Sequence, residues 1–259
     1  MSRRTHFDAA LILGLLGLLL AWDASGADLA MTRWLAGPQG FPWRDAWLTR
    51  YALHDGGRML AGVVLLLTVL HSLRRAADGP SRAQRLGTLG VVALGFLVVP
   101  SVKRFSATSC PWDLAEFGGK ASYVSHWQFG LADGGPGHCF PSGHAVAAFA
   151  FFAMYFLWRP HRPAVARVWL YATLAAGAAF GAAQWLRGAH YPSHVLWSAW
   201  ICWTVAALSF SLAGWARRVA VRGVVPMPVP AAARPGHRGA VRRSAARSAP
   251  RRKSARSRR

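Results

Sequence analysis

The stretch CFPSGHAVAAFAFFAMYFLW, residues 139–158, changes character at Ala145. From there it is uncharged and rich in alanine and aromatic residues, as a helix buried in protein or lipid would be. Before that point it places proline, serine, glycine and histidine where the helix would begin. Ser142 can cap a helix, but a cap leaves His144 unexplained. The reason for this histidine has to come from the rest of the chain.

Apolar and basic residues occupy different parts of the sequence. The chain has 259 residues, is 53% hydrophobic and carries a net charge of +22. Of its 31 Lys and Arg residues, 14 follow residue 216, with no Asp or Glu among them. We therefore predict a membrane domain over residues 1–216 and a disordered, Arg-rich cytoplasmic tail over 217–259. We expect the tail to meet anionic headgroups rather than nucleic acid.

Six apolar segments approach the roughly 20 residues that cross a bilayer. They are Phe7–Trp22, Met59–Leu73, Leu86–Val102, Ala145–Trp158, Val168–Leu186 and Val195–Trp215. The first continues without an obvious cleavage site, so we expect it to be a retained span rather than a signal peptide. The predicted fold class is all-α, a six-transmembrane helix bundle.

The basic residues predict how this bundle is oriented. The loop between the second and third segments and the loop between the fourth and fifth are rich in arginine. Cytoplasmic loops carry such an excess, so both termini should be cytoplasmic. The loops 23–58, 103–144 and 187–194 should then face outward. We expect an inner (plasma) membrane protein whose active site faces the periplasm.

Histidines and cations gather in these outward loops. They are His138, His144, His190 and His194, together with Lys103, Arg104 and Arg187. Cations and the free N–H groups of a helix N-terminus bind phosphate, and Gly143 would allow its close approach. Two histidines could act as nucleophile and general acid. The loops therefore predict a phosphoryl-transfer site at the membrane surface.

The same residues resemble the motifs of the type 2 phosphatidic acid phosphatase (PAP2) superfamily, in its integral-membrane lipid phosphatase branch. The family carries Lys, six residues, Arg-Pro; then Pro-Ser-Gly-His; then Ser-Arg, five residues, His, three residues, Asp. The second motif is intact at residues 141–144, and Lys103 and His190 keep their places in the other two. The resemblance covers about residues 86–215.

The resemblance implies a role for each matching residue. His190 would attack phosphorus and form a phosphohistidine, and His144 would protonate the leaving oxygen. Lys103, Ser142 and the Gly143 N–H group would bind the phosphate. Neither a metal nor another cofactor is implied.

Three positions depart from the family pattern. Cys110 and Gln184 stand where the family has arginine, and a guanidinium contact to phosphate is not replaced by an amide. Arg187 and Arg104 are near enough in sequence to compensate.

His194 stands where the family has the aspartate that orients the nucleophile. It could still orient His190 through a ring nitrogen, with Asp113 or Asp133 supplying the missing charge. Asp113 could instead be a helix cap, and His138 is expected to be a loop residue. A metal pair of His190 and His194 is the less favoured alternative, because Pro192 should start a helix between them.

Two cysteines lie in the outward loop 103–144, where disulfides can persist. We hypothesise that Cys110 and Cys139 form a bond that ties the first motif to the second, with two free thiols as the alternative. Cys202 lies inside the sixth segment and should be a packing residue.

The expected substrate is a membrane lipid with a phosphate or pyrophosphate headgroup. Phosphatidic acid, phosphatidylglycerol phosphate, undecaprenyl pyrophosphate and the phosphates of lipid A all fit. A lipid phosphotransferase and a non-catalytic phospholipid-binding relative are the alternatives. The three departures favour the non-catalytic relative, whereas the retained His144 and His190 favour an enzyme.

Overall fold

The fold is built from helices alone. A computed structural model describes residues 3–37, 39–75 and 78–224, of which about 70% are helical and none is in a strand. The helices are α1 (Arg3–Ala24), α2 (Ala27–Leu35), α3 (Gly56–Leu73, preceded by a π-helical segment, Leu48–Asp55), α4 (Arg82–Arg104), α5 (Val146–Phe149), α6 (Phe152–Trp158), α7 (Pro163–Leu186) and α8 (Pro192–Val224). The all-α prediction is confirmed.

Five of these helical stretches are long and apolar enough to cross a membrane. They are Arg3–Ala24, Leu48–Leu73, Arg82–Arg104, Pro163–Leu186 and Pro192–Gly214. The chain is therefore a multi-pass membrane protein. The predicted fourth segment forms the shorter pair α5 and α6, over Val146–Trp158. The count of six spans stays a prediction, as does the side of the membrane on which each end lies.

Two helix ends differ from those predicted. The second span begins at Leu48 rather than Met59, because the polar residues 54–58 conceal the helix from a hydropathy pattern. The last helix continues to Val224, so residues 217–224 of the predicted tail extend α8. The rest of that tail, 225–259, lies outside the described residues.

The core of the bundle lies between α4, α5, α6, α7 and α8. Phe152, Phe156 and Trp203 are buried there, and each phenylalanine contacts Trp203 edge to face. Gly177 of α7 permits the closest contact, since a Cβ atom there would overlap the ring of Phe149. This packing fixes the relative heights of α5 and α7, whose ends carry predicted site residues.

The connection between α4 and α5 covers one end of the bundle, where α3, α5 and α8 begin and α4 and α7 end. Within it Asp133 accepts hydrogen bonds from the backbone N–H and hydroxyl of Ser109. The start of α8 is held by a residue from far away in sequence. Asp28 of α2 accepts hydrogen bonds from both the N–H and the hydroxyl of Ser193. The segment carrying His190 and His194 is thereby fixed to α2.

Candidate active site

One cavity at this end of the bundle gathers several predicted site residues. It has a volume of about 520 Å³ and its walls include Gly143. Polar side chains reach it from four parts of the chain: His54, Arg58, Lys103, His144, Gln184 and His190. We call it the histidine cavity. The cavity brings residues of all three motif regions together in space. The sequence analysis expected this of the outward loops.

His144 lies just before α5 and is only 9% exposed. Its ring stacks on that of His54, with ring centroids 4.4 Å apart. Its Nε2 lies 3.4 Å from the carbonyl oxygen of Leu53. Burial, with the electrostatic effect of His54 next in size, lowers the pKa of His144 to about 4. Near neutral pH the ring is therefore uncharged until an anion binds beside it.

His190 lies in the short link between α7 and α8 and is 5% exposed. Its Nδ1 is 3.5 Å from the Sγ of Cys139, whose backbone carbonyl accepts a hydrogen bond from the ring. Burial, with the charge of Lys103 next in size, lowers the pKa of His190 well below its usual value. The low pKa favours the neutral ring, and a neutral imidazole keeps one nitrogen lone pair for a nucleophilic attack.

Ser142, Gly143 and Lys103, the residues expected from the motifs to bind phosphate, lie beside these rings. Ser142 is fully buried, and its hydroxyl has no hydrogen-bond partner within the part of the chain that the structure describes. Its backbone N–H donates to the carbonyl of His194 at 3.0 Å. The Lys103 side chain lies against Gly143, where a Cβ atom would be 3.5 Å from the Lys103 Cδ. A buried hydroxyl without a partner is costly, and a phosphate oxygen would satisfy it.

Cys110 and Cys139 are joined in a disulfide, with their Cα atoms 5.1 Å apart. The bond connects the first motif region to the residue that contacts His190. These two sulfurs and a ring nitrogen of His190 lie within 4.8 Å of one another. Because both sulfurs are in the disulfide, neither offers a thiolate to a metal.

Arg187 lines a second cavity beside the first. This arginine cavity has a volume of about 500 Å³ and His54 lies in its wall too. The Arg187 Nε donates to the carbonyl of Arg44 at 2.9 Å, and its Nη1 donates to the Oε1 of Gln184 at 3.1 Å. Arg187 therefore orients Gln184, which lines the histidine cavity.

Arg104 is exposed at the end of α4 and is not among the residues that line the histidine cavity. His138 is likewise exposed in the loop before Cys139 and lines neither cavity. The structure thus separates these two from the histidines with which they share the outward loops.

His194 is buried, and its Nδ1 has no hydrogen-bond partner among the described residues. Its ring centroid lies 5.8 Å from that of His190 and 5.6 Å from that of His126. The far side of His126 reaches a carboxylate, since its Nε2 lies 3.2 Å from the Oδ2 of Asp23. The carboxylate of Asp23, at the end of α1, is therefore linked to His194 through His126.

The two aspartates considered from sequence have other partners. Asp133 holds Ser109, as described above. Asp113 accepts hydrogen bonds from the backbone N–H of Cys110 and the indole of Trp112. Asp113 therefore caps its own turn.

Sequence analysis missed His54 and Arg58 as site residues. They belong to the second span, which was predicted to begin only at Met59, so both were assigned to a loop. One signal was present: ionisable residues at the edge of an apolar span often mark a functional site. Their distance from the motifs in sequence, about 45 residues from Lys103, hid their contact with them.

Residues 85–218, just over half of the chain, match the family model described as the PAP2 superfamily. No curated protein and no solved structure shows significant similarity to the chain.

Proposed function

This chain belongs to the PAP2 superfamily, and we propose that it is a membrane lipid phosphatase acting through a phosphohistidine on His190. Membership of this family supports a phosphatase-type activity on phosphate esters. The observation that carries the finer proposal is the convergence of Lys103, Gly143, His144 and His190 on one cavity. The substrate would be a lipid with a phosphate or pyrophosphate headgroup.

In the first step the Nε2 of His190 attacks phosphorus. An N–P bond forms and the bond between phosphorus and the lipid oxygen breaks. His144 gives its proton to that oxygen, so the dephosphorylated lipid leaves with a neutral hydroxyl, or with one phosphate fewer when the substrate is a pyrophosphate. Lys103, the Ser142 hydroxyl and the Gly143 N–H group would stabilise the negative charge on the equatorial oxygens.

In the second step water attacks the phosphohistidine. His144, now neutral, accepts a proton from the water as the new P–O bond forms. The N–P bond breaks, inorganic phosphate leaves, and His190 returns to its neutral state. One histidine thus serves as acid and then as base, as a two-step displacement requires.

The low pKa of His144 has a consequence for this cycle. The resting site would not hold a proton on His144 near neutral pH, so the substrate must change that. A bound phosphate places negative charge beside the ring and favours its protonated form. The general acid would therefore be charged by the arrival of the substrate.

The shape of the histidine cavity favours a lipid over a soluble phosphate ester. Its polar residues meet an apolar wall made by Ala61, Leu65 and Phe96, which belong to the second and third membrane-crossing helices. A phosphate bound near Lys103 could leave its hydrocarbon chain along that wall. In the predicted topology this end of the bundle faces the periplasm, and both termini are cytoplasmic.

A lipid phosphotransferase is the second candidate. The phosphohistidine would be the same, but a second lipid rather than water would take the phosphoryl group. The arginine cavity favours this candidate, because it adjoins the histidine cavity through His54 and offers space for the headgroup of an acceptor lipid. A non-catalytic relative would bind the lipid without either step.

The test is phosphate release by the purified protein in detergent, without added metal. The panel is phosphatidic acid, phosphatidylglycerol phosphate, undecaprenyl pyrophosphate and lipid A, and His190→Ala is the matched control. Release that His190→Ala abolishes supports the phosphatase and identifies its substrate. Acid-labile labelling of the wild type from a radioactive lipid, absent in His190→Ala, supports the phosphohistidine.

Three results would overturn the proposal. Release that survives in His190→Ala would exclude this residue as the nucleophile. Labelling of the folded wild type without release, followed by transfer to an added lipid, would establish the transferase. A folded wild type with neither release nor labelling would leave the non-catalytic relative.

A further inference from the structure

An arginine outside the three family motifs lies in the wall of the histidine cavity. Arg58 is the third residue of α3 and lines the cavity together with Lys103, His144 and His190. The two positions at which the family pattern has arginine hold Cys110 and Gln184 here. Cys110 is in a disulfide, and the amide oxygen of Gln184 accepts a hydrogen bond from Arg187. Neither can contribute a positive charge.

A close helix contact brings Arg58 to this place. Gly57 is buried against α7, where a Cβ atom would lie 2.6 Å from the ring of Phe180. The same Phe180 ring lies 5.4 Å from the ring of His144, measured between centroids. Glycine therefore lets the start of α3 approach α7 closely, and its neighbours in sequence reach the cavity beside His144.

Arg58 also has its guanidinium available. Its side chain is exposed, and it has no ion pair or side-chain hydrogen bond among the described residues. The other arginines nearby are engaged. Arg50 pairs with Asp45 at 2.7 Å, and Arg187 donates to Arg44 and Gln184. Asp55, three residues before Arg58, pairs with His54 at 2.8 Å.

One face of the continuous helical stretch Leu48–Leu73 joins this charge to the apolar wall. His54, Arg58, Ala61, Gly62 and Leu65 all line the histidine cavity, at the spacing of one helical face. Arg58 thus stands between the histidines and the apolar residues. A phosphate beside Arg58 would have its hydrocarbon chain continue along Ala61, Gly62 and Leu65, as a lipid phosphate requires.

We propose that Arg58 binds the substrate phosphate beside Lys103 and replaces the arginines missing at positions 110 and 184. A guanidinium can contact two phosphate oxygens at once, which an amide cannot do. This inference rests on the proposed function, because it assigns Arg58 to the same site. It differs from the sequence-based expectation, in which Arg187 and Arg104 compensate.

The experiment compares Arg58→Gln with the wild type and with Arg75→Gln. Arg75 is an exposed arginine that follows the other end of α3, roughly 25 Å away at 1.5 Å per residue. We expect Arg58→Gln to lower kcat/KM for lipid phosphate release about 100-fold, the scale of losing one donor to a transition-state oxyanion. Arg75→Gln should stay near the wild type.

A second measurement isolates binding from catalysis. Inorganic phosphate should raise the Tm of the wild type, because a ligand that binds the folded state stabilises it. The rise should be lost in Arg58→Gln and kept in Arg75→Gln. Added guanidinium at millimolar concentration should partly restore release by Arg58→Ala, which a merely structural role for Arg58 would not predict.

The outcomes separate this inference from the proposed function. If the wild type is active, His190→Ala is inactive and Arg58→Gln matches Arg75→Gln in both assays, the role of Arg58 is refuted while the phosphatase stands. If the wild type releases no phosphate, the proposed hydrolysis fails, and the Tm assay still decides whether Arg58 binds phosphate. An equal rise in Tm with phosphate in the wild type and in Arg58→Gln would refute phosphate binding by Arg58.

Discussion

The histidine cavity and the arginine cavity are neighbours of similar size, about 520 and 500 Å³, yet their charges are arranged differently. The arginine cavity holds three arginines, but Asp45 and Asp55 lie in its wall and Arg187 is already hydrogen-bonded. Among the described residues that line the histidine cavity, Lys103 and Arg58 are the lysine and arginine side chains, and none is a carboxylate. The comparison teaches that the number of arginines does not identify a phosphate site. We expect the phosphate site where the cations have no carboxylate partner.

Removing the buried hydroxyl of Ser142, the residue before Gly143 in the wall of the histidine cavity, should have the largest effect. We expect Ser142→Ala to lower kcat about 100-fold, because one donor to the transition-state phosphate is lost. Tm should change little or rise, since a buried hydroxyl without a partner is removed. Phosphate release and thermal unfolding measure the two effects. Ser101→Ala, an exposed serine near the end of α4, is the control. Equal rates in both variants would mean that Ser142 does not contact the reacting phosphate.

The disulfide between Cys110 and Cys139 connects the walls of the two cavities. On one side of the bond Cys139 contacts His190. On the other side Trp112 follows Cys110 by two residues, and its ring centroid lies 4.6 Å from the Cζ of Arg44. We expect Cys110→Ala/Cys139→Ala to lose about 2–4 kcal/mol of stability and roughly tenfold in activity as His190 loses its fixed neighbour. Unfolding and phosphate release are the measurements. Dithiothreitol should lower the stability and activity of the wild type and leave those of the double variant unchanged. If dithiothreitol changes neither protein, the prediction is contradicted.

A substitution in the arginine cavity should have a smaller effect on hydrolysis. Arg187→Gln removes the hydrogen bond that orients Gln184, so we expect a loss of about 2- to 10-fold in kcat/KM. Kinetics on the same lipid substrate beside Arg58→Gln would test this. A loss as large as that of Arg58→Gln would show that the two cavities act as one phosphate site and would favour the transferase.

The smallest predicted effect is a shift of the pH profile through His54, which both cavities share. His144 acts as an acid, so kcat/KM should fall as pH rises through its low pKa, and the optimum should be acidic. The corresponding fall in kcat should occur at higher pH than the fall in kcat/KM, because bound phosphate favours protonated His144. His54→Asn removes the electrostatic effect by which His54 lowers the pKa of His144. The fall in kcat/KM should therefore move to higher pH, by less than about one unit. A fall at unchanged pH, with the maximal rate retained, would exclude His54 from tuning His144.

Much of the fold could be predicted from local pattern. Apolar runs of about 20 residues require helices in a bilayer, and the five long helices agree with that expectation. The fourth segment was harder, because Val146–Trp158 is split into α5 and α6 and is short for a span. The second span began too late in the prediction, because ionisable residues at its start lowered the local hydropathy.

The sequence by itself determined which site residues lie together because they are close along the chain. Pro141 to His144 must lie together, and the spacing from Gln184 to His194 keeps that segment at one helix junction. Which distant side chains meet these motifs was decided only by the tertiary structure. Arg58 reaches His144 because Gly57 lets α3 approach Phe180, and Asp23 reaches His194 through His126. Such contacts depend on how helices pack and not on any local periodicity, so the charge balance of the site is a property of the folded chain.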